Sequence, residues 1–469
     1  MELYASTYEA AWRARARLLG IPVTAHLRLL EQSQRLPREQ ILELQWAKLR
    51  RLLVHAYENV PFYRRRFETM RAHPHEIRNR DDFARIPPLT RQELEHNAHD
   101  LVARNLPARR LVANATGGST GRPVHFHVDR EYLYWAQAMV WLQDSWTGWS
   151  PGRRHAFLWG SRLDLEQQQA GKVRLYNRLA RNLFLDAFAV DPGALDRYLR
   201  RLRRFRPALL TGYVLPLQIL ARRAQQGAFG TLSIGAVQTG AEPLRPAQRA
   251  IIEEGLGAPV FERYGGRDIG SLAHECEAHQ GMHLFPLNYA VESLRDDRPA
   301  VNGESGELIL THLDNYGAPF IRYRSDDLGV LSDRVCPCGR TWPMLERVEG
   351  RLADCIVGPS GAVMSGLFFP HLFKDFDIGQ YQVIQETVGS LRILLAAGHG
   401  FGPEQQARIE EVIRQHLGNE MQIAFEFMES IPRAESGKFR VVISHVAAPE
   451  HGLRTPPMPP ERERSGDRE

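Results

Sequence analysis

Four short apolar runs, separated by segments with helical character, constrain the fold of this chain more than any other feature. They are Ala156-Phe157-Leu158-Trp159, Leu183-Phe184-Leu185, Ala208-Leu209-Leu210 and Ala236-Val237-Gln238. Runs this brief are too short for helices and suit strands that are buried on both faces. Because strands joined by helices usually pair in parallel, the sequence predicts an α/β sheet.

Helices are predicted before this sheet and between its strands. Between residues 38 and 60 the apolar side chains recur at alternating steps of four and three, at Leu42, Trp46, Leu49, Leu53, Ala56 and Val60. This spacing is typical of an amphipathic helix. Another helix is expected from about Glu131 to Trp146. The segment 195–206 places its leucines on one side and its arginines on the other, which indicates a helix with a solvated basic face.

A chain of 469 residues with 43% hydrophobic content is too long for one compact core. Beyond residue 350 the pattern becomes that of a compact α+β domain: a hairpin (381–387 and 391–397), a helix (402–418) and a strand (423–428). We therefore expect a large N-terminal α/β domain with β-sheets and packed helices (1–350), a small α+β C-terminal domain (351–446) and a disordered tail (447–469). The prolines and mixed charges of the tail leave little to bury.

The formal net charge of +5 does not by itself indicate a nucleic-acid partner. Only four of the 60 basic residues are lysines, and no nucleic-acid-binding motif accompanies the arginines, so the bias looks like arginine-rich codon usage. No run of about 18 apolar residues predicts a transmembrane helix. The first residues lack the basic and apolar regions of a signal peptide. We therefore expect a cytoplasmic protein with neither nucleic acid nor a membrane as partner.

A run of glycines and hydroxylated residues is the first candidate binding element. It comprises Thr116, Gly117, Gly118, Ser119, Thr120, Gly121, Arg122 and Pro123. Glycines let the backbone approach an anion closely, and the hydroxyls lie beside the backbone N–H groups. The strand that follows alternates Val124, Phe126 and Val128 with two histidines and anchors the loop. Alone, the run is equally consistent with an ordinary loop, and it lacks the spacing of a Walker loop.

Further motifs follow in a specific order. They are Thr239-Gly240-Ala241-Glu242-Pro243-Leu244, Tyr264-Gly265-Gly266-Arg267-Asp268-Ile269-Gly270, Arg322-Tyr323-Arg324-Ser325-Asp326-Asp327-Leu328, Gly350-Arg351 and Ile431-Pro432-Arg433-Ala434-Glu435-Ser436-Gly437-Lys438. With the glycine loop they resemble, in order and spacing, the signature motifs of the adenylate-forming acyl-CoA synthetase superfamily. Within it the sequence is most similar to the phenylacetate–CoA ligase family and its CapK-like branch, from about Leu44 to about Val446.

The resemblance implies how a nucleotide is held. The loop from Thr116 to Gly121 would cradle the phosphates of ATP, and Gly240, Ala241 and Glu242 would meet the edge of the adenine. Tyr264 would cover the adenine face. Asp327 matches the aspartate that accepts both ribose hydroxyls, a role that suits an ionised carboxylate.

The resemblance also implies three catalytic residues. Asp268 stands where the family usually has a glutamate that helps to hold Mg²⁺. Arg351 would reach the nucleotide from the junction between the domains. Lys438 matches the adenylation lysine, which bridges the carboxylate and the α-phosphate in the transition state. The small domain would then rotate as a mobile lid to admit the thiol acceptor.

The activity implied is ATP-dependent conversion of a carboxylic acid to an acyl-adenylate and then, with CoA, to a thioester. An aryl or arylacetic acid is the best-known substrate class of the family, and Trp135, Trp159 and Tyr213 are candidates to line an aromatic pocket. ATP, Mg²⁺ and CoA would be required, and a homodimer is common in the family. Two alternatives remain open: transfer to an amine, hydroxyl or carrier protein, and a non-catalytic nucleotide-binding relative.

The cysteines suggest a second site. Four cysteines in so long a chain do not make a disulfide framework. Cys276, Cys336 and Cys338, with a histidine near Cys276, are the ligand types of a tetrahedral structural zinc site. Members of the resembled family often carry this pattern. His283 is the preferred fourth ligand and His279 the alternative.

Overall fold

The computed structural model of the chain describes residues 2–115, 124–159, 171–187, 192–227, 229–351, 356–360, 363–364, 368–373, 376, 378–397, 401–431 and 441–446. The chain divides into two compact units. The larger unit comprises Met1–Leu294 and Pro299–Glu349, and the smaller one comprises Arg295–Arg298 and Gly350–Glu469. The predicted tail, 447–469, lies outside the described residues. None of the helices in the described ranges is long and apolar enough to cross a membrane.

The helices of the larger unit are α1 (Glu2–Leu18), α2 (Val23–Ser33), α3 (Arg38–Asn59), α4 (Pro61–Thr69), α5 (Arg80–Ala84), α6 (Arg91–His96), α7 (Arg130–Trp146), α8 (Gly171–Leu179), α9 (Pro192–Phe205), α10 (Val214–Gln226) and α11 (Pro246–Leu256). Helix α3 matches the predicted helix at 38–60. It buries Leu49, Leu53 and Ala56 as the spacing requires. Helix α4 starts directly afterwards, with Pro61 at a position where its missing N–H is tolerated.

The strands are β1 (Leu111–Ala115), β2 (His125–Asp129), β3 (His155–Leu158), β4 (Asn182–Leu185), β5 (Leu209–Tyr213), β6 (Ala236–Gly240), β7 (Val260–Gly266), β8 (Gly270–Glu275), β9 (Met282–Leu284), β10 (Tyr289–Arg295), β11 (Arg298–Pro299), β12 (Ser305–His312), β13 (Tyr323–Ser332) and β14 (Met344–Arg351). Strands β1 and β2 form a separate antiparallel pair, and the others form one twelve-stranded sheet in the order β11-β10-β12-β13-β14-β9-β8-β7-β6-β5-β3-β4.

The four predicted apolar runs become strands β3 to β6. These strands pair in parallel, β4 with β3, β3 with β5 and β5 with β6, and β7 continues the parallel part on the other side of β6. One face packs on α9, α10 and α11 through Leu158, Leu210 and Val237, whereas Leu209, Ala236 and Phe261 belong to the core that includes α7. Both faces are therefore covered, as predicted for short apolar strands.

The smaller unit has its own core. Its strands β17 (Ile378–Gln385), β18 (Ser390–Ala397), β19 (Gln422–Phe427) and β20 (Val442–Ser444) form a sheet in the order β19-β18-β17-β20, and β15 (Ile356–Val357) pairs with β16 (Val363–Met364). The helices are α12 (Phe368–Phe373) and α13 (Pro403–Leu417). Helix α13 contributes Ile409, Ile413 and Leu417 to the core. The predicted hairpin, helix and strand are thus present.

Candidate functional site

Two tyrosine–aspartate hydrogen bonds join two of the motifs singled out in the sequence. The hydroxyl of Tyr264, on β7, donates to Oδ2 of Asp327, on β13, at 2.6 Å. The hydroxyl of Tyr323, at the start of β13, donates to Oδ2 of Asp268 at 3.0 Å. The structure therefore brings the predicted nucleotide-binding Tyr264 and Asp327 together with Asp268, the predicted magnesium-binding residue.

Burial keeps Tyr264 in its donating form. It raises the pKa of the Tyr264 hydroxyl well above its usual range, and the nearby carboxylates of Asp327 and Asp268 raise it further. The phenol consequently stays protonated near neutral pH. It holds one oxygen of Asp327, while the carboxylate retains acceptor capacity for further hydrogen bonds.

Tyr323 is a site residue that the sequence interpretation missed. It is buried, and its hydroxyl orients the carboxylate of Asp268. The signal was present, because Tyr323 lies within the motif that contains Asp327. Its neighbour Arg322 has a structural role: the guanidinium pairs with Glu292 at 3.0 Å and donates to the carbonyl of Ala84 at 2.5 Å, which fixes the start of β13.

The predicted adenine-side residues lie at the end of β6. Gly240 is the last residue of the strand, and Ala241 adopts a left-handed conformation with φ of 67°. The carboxylate of Glu242 accepts a hydrogen bond from the backbone N–H of Leu215 at 2.9 Å. Because Leu215 lies in the first turn of α10, Glu242 occupies the positive end of that helix and fixes it to the loop after β6.

Other predicted residues are only partly covered by the structure. The glycine loop, residues 116–123, and Lys438 lie outside the described residues. Strands β1 and β2 border the loop as an antiparallel pair, with Ala115 opposite His125. The alternation after the loop is as predicted, since Val124, Phe126 and Val128 are buried. Strand β14 ends at Arg351, whose side chain lies outside the description.

The aromatic residues considered for an acyl pocket separate into two places. The rings of Trp159 and Tyr213 contact each other, with centroids 4.3 Å apart. Trp135 instead stacks on His26 of α2 at 3.8 Å, with the ammonium of Lys48 4.5 Å from the ring centroid. Trp159 and Tyr213 are therefore the candidates for an aromatic wall, and Trp135 belongs to the packing between helices.

The four predicted metal ligands converge on one point. Cys276 follows β8, His283 lies on β9, and Cys336 and Cys338 lie in the loop before β14. Their ligand atoms all lie within 4.8 Å of one another. The sulfurs of Cys276 and Cys336 are 3.6 Å apart, and the sulfur of Cys338 is 3.3 Å from Nε2 of His283.

This donor set fits a tetrahedral ion. Zinc–sulfur bonds of about 2.3 Å place two thiolates of a tetrahedron about 3.8 Å apart, close to the observed separation. The backbone N–H of Arg340 points at the sulfur of Cys338 from 3.5 Å. His279, the alternative ligand, lies elsewhere: its Nδ1 is 3.3 Å from a carboxylate oxygen of Glu275. The structure therefore favours His283 as the fourth ligand.

Comparison with known proteins covers most of the chain. The family model for the CapK C-terminal domain matches residues 356–445. The phenylacetate–coenzyme A ligase of Escherichia coli is 28% identical over 430 residues, which cover 86% of this chain and 94% of that protein. The phenylacetate–coenzyme A ligase of Thermus thermophilus is 26% identical over 445 residues, 87% of this chain and 97% of that protein. Protein CapK of Staphylococcus aureus is 20% identical over 366 residues, 77% of this chain and 80% of that protein.

A solved structure supports the fold. The 2-hydroxyisobutyryl-CoA ligase in its postadenylation state superimposes with a TM-score of 0.70 at 21% identity, and the alignment covers 88% of this chain and 91% of that chain. The sequence relatives, the C-terminal family match and the arrangement of the motifs agree. Over most of its length the chain is similar to phenylacetate–CoA ligases and to protein CapK, and these findings support a phenylacetate–CoA ligase/CapK-like member of the adenylate-forming ligases.

Proposed function

We propose that the protein activates a carboxylic acid with ATP to an acyl-adenylate and then transfers the acyl group to CoA. In the first step a carboxylate oxygen of the acid attacks the α-phosphorus of ATP and pyrophosphate leaves. In the second, the sulfur of CoA attacks the acyl carbonyl carbon and AMP leaves. The observation that carries the proposal is the pairing of Tyr264 with Asp327 and of Tyr323 with Asp268.

The two tyrosine–aspartate pairs suit two different roles, ribose binding and Mg²⁺ binding. Asp327 is buried and held by Tyr264, which suits a carboxylate that must accept two ribose hydroxyls in a fixed orientation. Asp268 keeps one oxygen beyond its bond to Tyr323, and a carboxylate oxygen is a preferred ligand of Mg²⁺. When bound there, Mg²⁺ would neutralise charge on the phosphates as pyrophosphate departs. The rings of Trp159 and Tyr213 would contact an aryl or arylacetic acid.

The residues outside the description complete the proposal. The glycine loop, residues 116–121, would hold the phosphates through backbone N–H groups. Lys438 would stabilise the charge that develops between the carboxylate and the α-phosphate, and Arg351 would contact the nucleotide. These assignments rest on the order and spacing of the motifs in the sequence.

We further infer that Cys276, His283, Cys336 and Cys338 hold a structural zinc ion. Three ligands are buried and the fourth is half-buried. Four protein ligands complete a tetrahedral shell, so no position remains for substrate or a catalytic water. The ion would connect β8 and β9 to the loop before β14, which are far apart in the sequence.

Exchange of pyrophosphate into ATP tests the proposed function. The assay uses pooled aryl, arylacetic, fatty, amino and sugar acids with Mg²⁺, and we expect exchange with at least one pool. Lys438→Ala should reduce exchange at least about a hundredfold because a transition-state contact is removed, while nucleotide binding remains. Lys172→Ala changes an exposed lysine of α8 and should leave exchange at the wild-type rate.

Two results would count against the proposal. Unchanged exchange in Lys438→Ala would remove the assignment of the lysine, and no exchange with any pool or with dicarboxylic acids would favour a nucleotide-binding relative without catalysis. The acceptor is tested separately by chromatography of acyl-CoA. An adenylate that hydroxylamine traps but CoA does not would show that the natural acceptor is an amine, a hydroxyl or a carrier protein.

A further inference from the structure

The carboxyl ends of four parallel strands carry one row of residues at the same register. Tyr213 of β5 pairs with Gly240 of β6. Trp159 follows Leu158, which pairs with Gly212, and Arg263 follows Glu262, which pairs with Thr239. Residues in register on parallel strands point to the same face. We call Trp159, Tyr213, Gly240 and Arg263 the carboxyl-end row.

This row faces α7. Two residues back along the strands, Gln238 lies on the same face. Its Nε2 is 2.8 Å from Oδ1 of Asp144, on α7, and 2.9 Å from Nε2 of His274, on β8. Thr211 donates to Oε1 of Gln238 and lies 2.8 Å from Nε2 of His155. Burial lowers the pKa of His155 to about 3, so the imidazole of His155 in this layer of polar side chains is neutral.

The carboxyl-end row lies two residues further along the strands than this layer, and its side chains are partly accessible to solvent. Thr211 and Gln238 are buried, whereas Trp159, Tyr213 and Arg263 each keep part of their surface accessible. Gly240 contributes no side chain, so Trp159 and Arg263 approach each other across it. The guanidinium carbon of Arg263 lies 5.5 Å from the ring centroid of Trp159. The row thus places an aromatic surface, formed by Trp159 and Tyr213, beside the cation of Arg263.

Arg263 has no ion-pair partner in the part of the chain that the structure describes. The carboxylate of Asp144 attracts the guanidinium electrostatically, but the hydrogen bond that this carboxylate accepts comes from Gln238 and not from Arg263. A guanidinium stays charged in proteins, and Asp144 attracts this one without forming an ion pair, so the N–H donors of Arg263 are not used by that carboxylate. The open side of Arg263 therefore suits an anion supplied by a ligand.

The position of Arg263 indicates that an anion bound there would belong to the acid substrate and not to the nucleotide. The next residue, Tyr264, points to the opposite face of β7, where it meets Asp327. Arg263 faces Trp159, the proposed acyl wall, across Gly240. A planar guanidinium binds a carboxylate through two parallel hydrogen bonds, which gives strong discrimination against an uncharged group.

We propose that Arg263 is a specificity-determining residue that binds a second carboxylate on the acid, so that the substrates are dicarboxylic acids. This inference rests on the proposed function and adds the substrate class to it. One carboxylate is activated and the other is held at Arg263, while the carbon spacer lies along Trp159 and Tyr213. A purely apolar acid would leave the accessible side of the guanidinium without an anion.

Pairs of substrates that differ in one charge test the inference. Pyrophosphate exchange is measured with linear and aromatic dicarboxylic acids and with their monomethyl esters, which have the same spacer and one carboxylate. For the wild type we expect kcat/KM to be at least tenfold higher for the best diacid than for its ester. Arg263→Leu should bring this ratio close to one, and Arg263→Lys should give an intermediate ratio because the charge remains and the planar fork is lost.

Controls separate the possible roles of Arg263. Arg222→Leu removes an exposed arginine of α10 and should keep the wild-type ratio. A wild type that uses esters as well as diacids would overturn the inference. So would an Arg263→Leu variant with an unchanged ratio, or one in which only the KM for ATP rises. If neither Arg263 variant folds, the diacid-to-ester ratio of the wild type decides.

Calorimetric titration of the same acids without ATP distinguishes this inference from the proposed function. Diacid binding that Arg263→Leu abolishes, together with no exchange for any acid, would support the anion site and refute the adenylation activity. Exchange with monocarboxylic acids alone would support the activity and refute the anion site. Neither exchange nor diacid binding would refute both.

Discussion

The metal cluster and the carboxyl-end row are both assembled across strands of one sheet, but one is closed and the other is open. In the cluster, Cys276, His283 and Cys336 are buried and the ligand atoms contact one another. In the row, Trp159, Tyr213 and Arg263 remain partly accessible. A closed shell suits an ion that stays bound, whereas accessible side chains suit a ligand that must enter and leave. Burial therefore distinguishes the proposed structural site from the proposed substrate site.

The largest effect is expected at the cluster. Cys276→Ser should lose about one equivalent of zinc per chain. The free energy of unfolding should fall by about 4–5 kcal/mol or more, because the ion connects distant segments. Metal analysis of the purified protein and chemical denaturation measure both quantities. His279→Ala changes a histidine of the same segment that lies outside the cluster, and it should retain the metal.

A metal-free wild type that unfolds at the same denaturant concentration as the metal-loaded protein would contradict the structural role. Zinc retention by Cys276→Ser would contradict the ligand assignment. Either result would also weaken the comparison between the buried cysteine–histidine cluster and the accessible carboxyl-end row, because the burial of the cluster would then not be evidence for a bound ion.

An intermediate effect on stability is expected at Asp144, in the layer of polar side chains next to the carboxyl-end row. Burial raises the pKa of Asp144 from 3.8 to about 6, although Gln238 and Arg263 oppose the rise. Between about pH 4 and pH 6 the folded protein therefore binds a proton that the unfolded chain releases. The free energy of unfolding should fall by about 3 kcal/mol as the pH rises through this window. Asp144→Asn should remove this contribution.

Urea denaturation at several pH values between 4 and 7 measures the slope. Part of it should persist in Asp144→Asn, because burial also raises the pKa of Glu262, to about 7. Asp81→Asn, at an exposed carboxylate of α5, should keep the full wild-type slope. A slope in Asp144→Asn equal to that of the wild type would show that the charge of Asp144 is not costly in the folded protein.

The smallest effect on stability is expected at Gly240. A Cβ at this position would lie 3.4 Å from Trp159 and 3.7 Å from Nε of Arg263, which are ordinary contacts. Gly240→Ala should therefore change the free energy of unfolding by less than about 1 kcal/mol. The added methyl group occupies space between Trp159 and Arg263, so the KM for the acid should rise about tenfold, which corresponds to about 1.4 kcal/mol of binding free energy, with an unchanged KM for ATP. Steady-state kinetics with each substrate varied in turn provides the measurement.

A rise confined to the KM for ATP would contradict this prediction. It would place Gly240 against the adenine, as the sequence motif implies.

The two sites differ in how far the sequence predicts them. Cysteine and histidine are diagnostic ligand types, so Cys276, Cys336 and Cys338 were recognisable without a structure. The preference for His283 over His279 was also made from the sequence, and the structure supports it. Arginine, tryptophan and tyrosine are common in ordinary packing. Nothing in the sequence near Arg263 indicates that Trp159 lies opposite to it.

The fold, too, has a part that the sequence predicts and a part that it does not. Short apolar runs predicted β3 to β6, because strands covered on both faces must be apolar throughout. The antiparallel part of the sheet was not predicted. Strands such as β12 and β13 contain many polar residues, and their stability depends on cross-strand neighbours that are distant in the chain. Tyr323 was missed for the same reason, since its partner Asp268 lies more than fifty residues earlier.

The sequence by itself determined the chemistry that is available: the order of the nucleotide motifs, the three thiols and the parallel α/β core. These are properties of individual residues and of short segments. The tertiary structure placed His283, the candidate preferred from the sequence, beside the thiols. It alone decided that Tyr323 orients Asp268 and that Arg263 faces Trp159 across Gly240. These relations depend on strand register, and register is set by contacts between segments that are distant in the sequence.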